Sequence, residues 1–209
     1  MKRARDRRLI TWLGFTLAWF VMMIPLRSQC QQTETDITSE TTLFTSLEEA
    51  LKTPDLVHNL ALRKMKLDSI PDAVFSFHNL RKLDMGRNRI SKISPRISEL
   101  TQLTELNMEK NELTELPGEI GALAHLKVLN VNRNSLETLP AQIGDLTELE
   151  VLDLWSNEIS TFPEELAQLK NLKVLDLRVI IVSDEDQQTL KEMLPDTKIH
   201  FSPNCNCKM

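Results

Sequence analysis

Several residue types are scarce in this chain of 209 residues, and each shortage excludes a class of protein. There is no Tyr, and the five Gly never stand at the spacing of a GxGxxG or Walker loop, so the common phosphate-binding loops are absent. The three Cys are too few and too clustered for a disulfide framework, and the four His lie too far apart for a metal motif. There is no excess of positive charge, since the net charge is −5, and this argues against a nucleic-acid partner.

The first 29 residues combine a basic start with an uncharged apolar run. Residues 1–8 read MKRARDRR, and residues 9–25 read LITWLGFTLAWFVMMIP. This layout is typical of a secretory signal peptide. Because a run of about 17 apolar residues is at the short limit for crossing a bilayer, a retained signal anchor is the alternative. In both cases the basic end stays in the cytoplasm, and we expect the rest of the chain to be exported, either associated with the membrane of the cell envelope or surface or secreted.

Residues 26–30, LRSQC, resemble the end of a bacterial lipoprotein signal, in which a Cys becomes the first residue of the mature chain and carries lipid. The resemblance implies lipidation at Cys30, although Gln29 stands where that family has a small residue. Residues 30–42 are polar and hold too little apolar surface to offset the entropy of ordering. We therefore expect them to form a flexible tether between the membrane and the rest of the chain.

Residues 57–182 consist of a repeat of 23 residues. Apolar residues recur at the first, fourth, sixth and eleventh positions of each unit, and Asn recurs at the ninth position. The units start at Val57, Leu80, Leu103, Leu126, Leu149 and Leu172. Alternation at the fourth and sixth positions predicts a short strand with one buried face. One unit cannot bury its own apolar face, so stacked units must share a continuous core.

The pattern L-x-x-L-x-L-x-x-N-x-L resembles the leucine-rich repeat, and residues 113–123, LTELPGEIGAL, resemble its 23-residue LPxEIGxL subclass, the Ras-group type. The resemblance implies an α/β solenoid with about six parallel strands on a concave surface, which we call the strand face. The convex side would be irregular or would carry short helices. The resemblance also implies that a partner, either a protein or a glycan, binds on the strand face.

Four Asn occupy the ninth position in successive units. An Asn amide both donates and accepts hydrogen bonds, so each can satisfy backbone groups where the chain leaves its strand. We expect a structural ladder formed by Asn88, Asn111, Asn134 and Asn157.

Both ends of the repeat array are predicted to carry caps. In the N-terminal cap, residues 43–56, we expect a short helix over 46–52 that begins after Ser46. In the C-terminal cap, residues 183–209, a helix opens at Ser183 and ends before Pro195, and a short edge strand follows over 198–201. Cys205 and Cys207 in the tail are too close in sequence for a relaxed internal disulfide.

The register predicts which side chains the strand face exposes. Cations fill the eighth position of four successive units, a set that we call the cationic column: Lys64, Arg87, Lys110 and Arg133. The third positions of the last three units form an apolar column: Val128, Val151 and Val174. An exposed Trp beside aliphatic residues and charges is typical of a protein-binding site. The predicted partner-binding residues are Arg63, Lys64, Arg87, Lys110, Asn130, Asn132, Arg133, Asp153, Trp155 and Arg178.

Two plainer interpretations stay open. The cationic column can be a solvated surface balanced by local Asp, and Trp155 can simply pack on the apolar column. No residue pair is placed for acid/base or nucleophilic catalysis, and no cofactor, metal or small-molecule substrate is expected. We therefore predict a non-enzymatic, monomeric recognition module that is exported and tethered to a membrane. The alternatives are a structural or scaffolding protein of an envelope assembly and, if residues 1–25 do not direct export, an intracellular signalling scaffold.

Overall fold

The computed structural model describes residues 42–202. The predicted signal segment 1–29, the tether as far as residue 41 with Cys30, and both tail cysteines, Cys205 and Cys207, lie outside the described residues. Within residues 42–202, no helix is both long enough and apolar enough to cross a bilayer.

One parallel sheet of eight strands, paired in chain order, runs through the described residues. Its strands are β1 (Leu43–Phe44), β2 (Asn59–Ala61), β3 (Lys82–Asp84), β4 (Glu105–Asn107), β5 (Val128–Asn130), β6 (Val151–Asp153), β7 (Val174–Leu177) and β8 (Lys198–Phe201). The predicted solenoid is confirmed. The sheet is longer than the six predicted repeat strands, because β1 and β8 extend it at the two ends.

The sheet keeps the repeat in register from strand to strand. From β2 to β7, each residue pairs with the residue 23 positions later, as Leu83 does with Leu106. The fourth-position side chains therefore form one buried row, each at most 1% exposed: Leu60, Leu83, Leu106, Leu129, Leu152 and Leu175. With the other repeat leucines they form a single hydrophobic cluster, so the core is shared between units.

Short 3₁₀ helices bring the chain back on the other side of this core. Five of them share the same length and repeat position, and these are Asp72–Ser76, Pro95–Glu99, Gly118–Ala122, Ala141–Asp145 and Glu164–Gln168; a shorter one is Pro54–Leu56. A Pro with extended backbone precedes four of the five, for example Pro117 at φ −69° and ψ 148°. Each of the five turns at least one apolar side chain inward, as with the fully buried Ile120 and Ile143.

The helices of the two caps differ in their N-terminal capping hydrogen bonds. Helix α1 (Leu47–Ala50) is shorter than the predicted 46–52, and Ser46 makes no side-chain capping bond. Helix α2 (Asp184–Met193) begins with a complete cap, because the Ser183 hydroxyl accepts a hydrogen bond from the Asp186 N–H at 3.0 Å. Leu190 and Leu194 are buried on the core.

Candidate partner-binding surface

The strand register aligns the repeat positions into columns. The third-position column changes character along the sheet, from Asn59, Lys82 and Glu105 to Val128, Val151 and Val174. The three valines of the apolar column are half-buried. The strand face is thus polar in its N-terminal half and apolar along one side of its C-terminal half.

The fifth-position side chains have a structural task. In five units the Oδ1 atom of an Asp or Asn accepts a hydrogen bond from the backbone N–H two residues later, at 2.9–3.1 Å. The five acceptors are Asp84, Asn107, Asn130, Asp153 and Asp176. This Asx turn bends the chain away from the strand. Asn130 and Asp153 therefore help to fix the backbone geometry of the strand face.

The eighth position has a left-handed backbone in every unit. The φ values lie between 52° and 64° at Lys64, Arg87, Lys110, Arg133, Ser156 and Val179. This conformation costs a non-glycine residue about 1 kcal/mol or more. In the first five of these residues, a hydrogen bond of 2.7–3.2 Å from the N–H to a carbonyl of the next unit opposes that cost. The Val179 N–H instead bonds the Ser202 hydroxyl at 2.6 Å. The cationic column is thus carried on a fixed backbone.

Arg63 and Arg87 share the carboxylates of the N-terminal half. Arg63 donates to the Asp84 carboxylate at 2.7 Å and to the Glu109 carboxylate at 2.5 Å. Arg87 reaches the same Glu109 oxygen only at 3.3 Å. Burial of Glu109 opposes its charge, but the hydrogen bonds from Arg63 and Arg87 outweigh this and lower its pKa. Local acids thus balance Arg63 and part of Arg87.

Lys110 and Arg133 lack such acids. Among the described residues, neither has an ion pair with a carboxylate. The pKa of Lys110 is lowered, chiefly by the positive charge of Arg133 and then by that of Arg87. The cations of this column therefore repel one another, and a negative charge brought to them from outside would be attracted.

Trp155 lies beneath one of these cations. The Arg133 guanidinium carbon is 4.3 Å from the centre of the Trp155 ring, and Trp155 is half-buried. A guanidinium over an indole face is attracted by the negative potential of the ring. Stacking leaves the edge of the guanidinium, with its N–H donors, available to a carboxylate.

Two predicted contact residues bind carboxylates of the chain itself. Asn132, at 8% exposed, donates to the Asp153 carboxylate at 2.7 Å, so the expectation that the strand face exposes this side chain is wrong. The Arg178 guanidinium forms a salt bridge with Asp176, the fifth-position residue of the same unit, with a closest contact of 2.5 Å. Asp176 is 8% exposed. Burial disfavours its charge, but hydrogen bonds from the Arg178 side chain and backbone prevail, and its pKa is lowered.

The ninth-position Asn residues link each unit to its neighbour. Asn134 is typical: its Oδ1 accepts from the Leu113 N–H at 3.0 Å, and its Nδ2 donates to the carbonyls of Met108 and Val131 at 3.1 and 2.8 Å. Asn88, Asn111 and Asn157 make equivalent bonds. Three are nearly buried, and Asn111 is half-buried.

Lys66 and Arg89 are two cations that the sequence argument did not include. They occupy the tenth position of the first two units, two residues beyond Lys64 and Arg87, and both are exposed. Asn88 Oδ1 accepts from the N–H groups on either side of Lys66, those of Met65 and Leu67. The same register that gave the cationic column would have found them, had the tenth position been followed as well.

Comparisons with known proteins agree with this architecture. The family model described as "Leucine-rich repeat region" matches residues 42–197. A leucine-rich repeat protein of Leptospira interrogans is 29% identical with a TM-score of 0.65, over 77% of this chain and 46% of that one. The plant peptide hormone receptor RGFR1, in complex with RGF2, is 29% identical with a TM-score of 0.55, over 64% and 22%.

The internalin C2 of Listeria monocytogenes shares the fold at 21% identity and a TM-score of 0.61, over 73% of this chain and 64% of that one. The chain thus spans about half of the Leptospira protein and less than a quarter of the plant receptor. No relative was found among curated protein sequences. Because the family match extends over well more than half of its length, the chain belongs to the leucine-rich repeat family.

Proposed function

We propose that this protein is a non-enzymatic recognition module that binds a protein partner through the C-terminal half of its strand face. One observation carries the proposal: Arg133 lies over the half-buried Trp155 ring at 4.3 Å, in the part of the face that holds the apolar column. Trp and Arg are the side chains most enriched among residues that dominate binding energy.

The surroundings of Trp155 favour binding over simple packing. Its backbone N–H is fixed by Asp153 at 3.0 Å, and its ring is held by Arg133. Asn132 in turn fixes the second Asp153 oxygen. An aromatic side chain that is already ordered loses little entropy when a partner covers it. The half-buried valines of the apolar column offer further apolar surface from which a partner can exclude water.

The relatives support the same class of function. The plant receptor is described in complex with RGF2, and this chain matches it over 64% of its own length. Solenoids of this kind present one extended face made of many short strands, and such faces are used for binding. In this chain, the Asx turns and the Asn bonds give that face a rigid backbone.

We further propose that the module is exported and tethered to a membrane, by lipid on Cys30 or by residues 9–25. The support is the basic start, the apolar run and the LRSQC segment of the sequence. Metabolic labelling with a lipid precursor tests the tether. Cys30→Ser should abolish labelling if Cys30 is lipidated, and unchanged labelling would contradict lipidation. Recovery of the full chain in the cytosol would contradict export.

Capture from native membranes with the full chain as bait tests the binding proposal. Trp155→Ala and Val151→Ser should each reduce recovery of the bound polypeptide at least tenfold. Ile181→Ser is the matched control, because Ile181 is apolar and 98% exposed but stands outside the repeat strands. Thermal unfolding of each variant checks that the fold is retained. Equal recovery with Trp155→Ala, or a loss with Ile181→Ser alone, would contradict the proposed surface.

A further inference from the structure

Six cations lie at the eighth and tenth positions of neighbouring units, where the chain leaves the strands. We call this set the cationic rim: Lys64, Lys66, Arg87, Arg89, Lys110 and Arg133. Five of them are exposed and Lys110 is half-buried. Lys64, Lys66, Arg87, Lys110 and Arg133 have left-handed backbones, so the rim is formed by a repeated conformation.

The rim lacks compensating acids within residues 42–202. Only Arg87 reaches a carboxylate, that of Glu109 at 3.3 Å, and Glu109 is already bound more closely by Arg63. The lowered pKa of Lys110 reflects the charges of Arg133 and Arg87 acting on it. By contrast, Lys82 pairs with Glu105 of the next unit at 2.6 Å, and Lys173 pairs with Glu150 of the preceding unit at 2.5 Å.

The background makes this concentration of charge unusual. Residues 30–209 contain 19 Lys and Arg against 29 Asp and Glu, a net charge of −10. These residues as a whole therefore repel an acidic molecule, and the rim is the place where such a molecule would be held. Paired charges contribute little to binding, whereas unpaired ones gain by meeting an opposite charge.

The spacing of the rim fits a short acidic segment. Parallel strands lie about 4.8 Å apart, so the three steps from Lys64 to Arg133 cover roughly 14 Å. An extended peptide rises about 3.3 Å per residue, and four or five residues span that distance. Arg133 belongs both to the rim and to the Trp155 stack. One occupant with acidic side chains next to apolar ones can therefore engage both surfaces.

We propose that the cationic rim binds an acidic segment of the protein partner. This rests on the proposed function, since it names the chemistry that the partner brings to the same surface. A protein segment fits better than a lipid headgroup or a sulfated glycan, because these lack the apolar side chains that the adjoining column and Trp155 would take up.

Fluorescence anisotropy with labelled peptides tests the rim. The probes are an eight-residue Glu-Ser repeat and the matching Gln-Ser repeat, added to the full chain. The acidic peptide should bind at least tenfold more tightly than the neutral one, and raising the NaCl concentration from 50 to 500 mM should weaken it at least tenfold. Equal affinity for the two peptides would overturn the proposal.

Two charge-matched variants locate the binding. The triple variant Lys64→Gln, Lys66→Gln and Lys110→Gln should lose at least tenfold in affinity for the acidic peptide. The control triple, Lys52→Gln, Lys127→Gln and Lys170→Gln, removes the same charge at exposed positions outside the rim and should stay within twofold. An equal loss in both triples would show mere attraction by net charge and overturn the assignment.

Two further probes decide the class of partner. Vesicles with 30% anionic lipid and heparin are tested against the same variants. Rim-dependent binding of either, with no binding of the acidic peptide, would overturn the choice of a protein segment. Neither triple changes Arg133 or Trp155, so the two proposals fail separately: unchanged peptide binding in the rim triple refutes the rim alone, and undiminished capture by Trp155→Ala refutes the proposed function.

Discussion

The guanidinium of Arg133 and the indole ring of Trp155 meet across the boundary between two repeat units, with 4.3 Å from the guanidinium carbon to the ring centre. Trp155 stands at the seventh position of its unit and Arg133 at the eighth position of the unit before. Their contact orders the largest side chain of the strand face before any partner arrives, which lowers the entropic cost of binding.

A double-mutant cycle should measure this contact. Replacing Arg133 by Gln and Trp155 by Leu, singly and together, should give a coupling of about 0.5–1 kcal/mol in the free energy of unfolding, as expected for a cation–π pair that water can reach. Chemical denaturation gives the values. Arg89→Gln with Trp155→Leu is the control, and these two changes should be additive. A coupling near zero for Arg133 would contradict an energetic role of the stack.

Asn134→Ala should destabilise the chain by about 1–3 kcal/mol, because the Leu113 N–H loses its acceptor in a nearly buried place. The carbonyls of Met108 and Val131 each lose one of their two Asn donors and keep the other. Asn171→Ala is the matched control. Asn171 is exposed and makes one bond, to the Thr147 carbonyl at 2.8 Å, so its loss should cost little. Denaturant titration of both variants tests the difference. Equal effects would mean that the bonds of Asn134 are no more stabilising than a surface contact.

Substitutions of Asn130 should show whether its side chain stabilises the turn or serves only to contact a partner. Its Oδ1 accepts from the Asn132 N–H at 3.1 Å. Asn130→Ala removes this acceptor and should cost about 1 kcal/mol, the typical worth of one hydrogen bond. Asn130→Asp keeps the acceptor and should be nearly neutral in stability, since Asp153 holds the same position in the next unit. If both variants are as stable as the wild type, the Asx turn contributes nothing.

Asp176 should make stability depend on pH in the acidic range. Its pKa is lowered in the folded chain because the Arg178 hydrogen bonds outweigh the effect of burial. A lowered folded pKa gives stability that is complete above the unfolded value, near 4, and is lost as the pH falls through the folded value. Asp176→Asn keeps the turn acceptor but cannot titrate. Its free energy of unfolding should therefore fall less than that of the wild type between pH 5 and pH 3, and parallel curves would contradict the assignment.

The solenoid could be predicted because the same pattern of apolar residues recurs in every repeat unit. One misjudged Leu would hardly matter when the same position recurs six times, and the buried row from Leu60 to Leu175 follows directly. β1 had no such support, since Leu43–Phe44 has no counterpart in the pattern and exists by pairing with β2. Helix α1 begins at Leu47, directly after Ser46 as expected, but it ends at Ala50 and does not reach residue 52. The LPxEIGxL subclass, inferred from residues 113–123, stays a prediction.

The site was only partly accessible from the sequence. The register placed Trp155 and Arg133 in neighbouring rows of adjacent units, because the 23-residue period keeps equivalent positions aligned beyond the ends of the strands. It could not show that Arg133 would stack on Trp155, because this depends on a rotamer and on a backbone with φ 53°. It also gave no sign that Asn130 and Asp153, which it lists as partner-binding residues, each accept a hydrogen bond from the backbone N–H two residues later.

Within residues 42–202, the backbone hydrogen bonds between coils join adjacent coils, about 23 residues apart along the chain, and this has a genetic consequence. Loss or duplication of one whole period would join like positions to like, so that every column simply becomes one row shorter or longer. A change of any other length would break the phase of the core. The length of the strand face can therefore differ between related proteins by whole repeat units. Point substitutions change the side chains of each unit independently of that length.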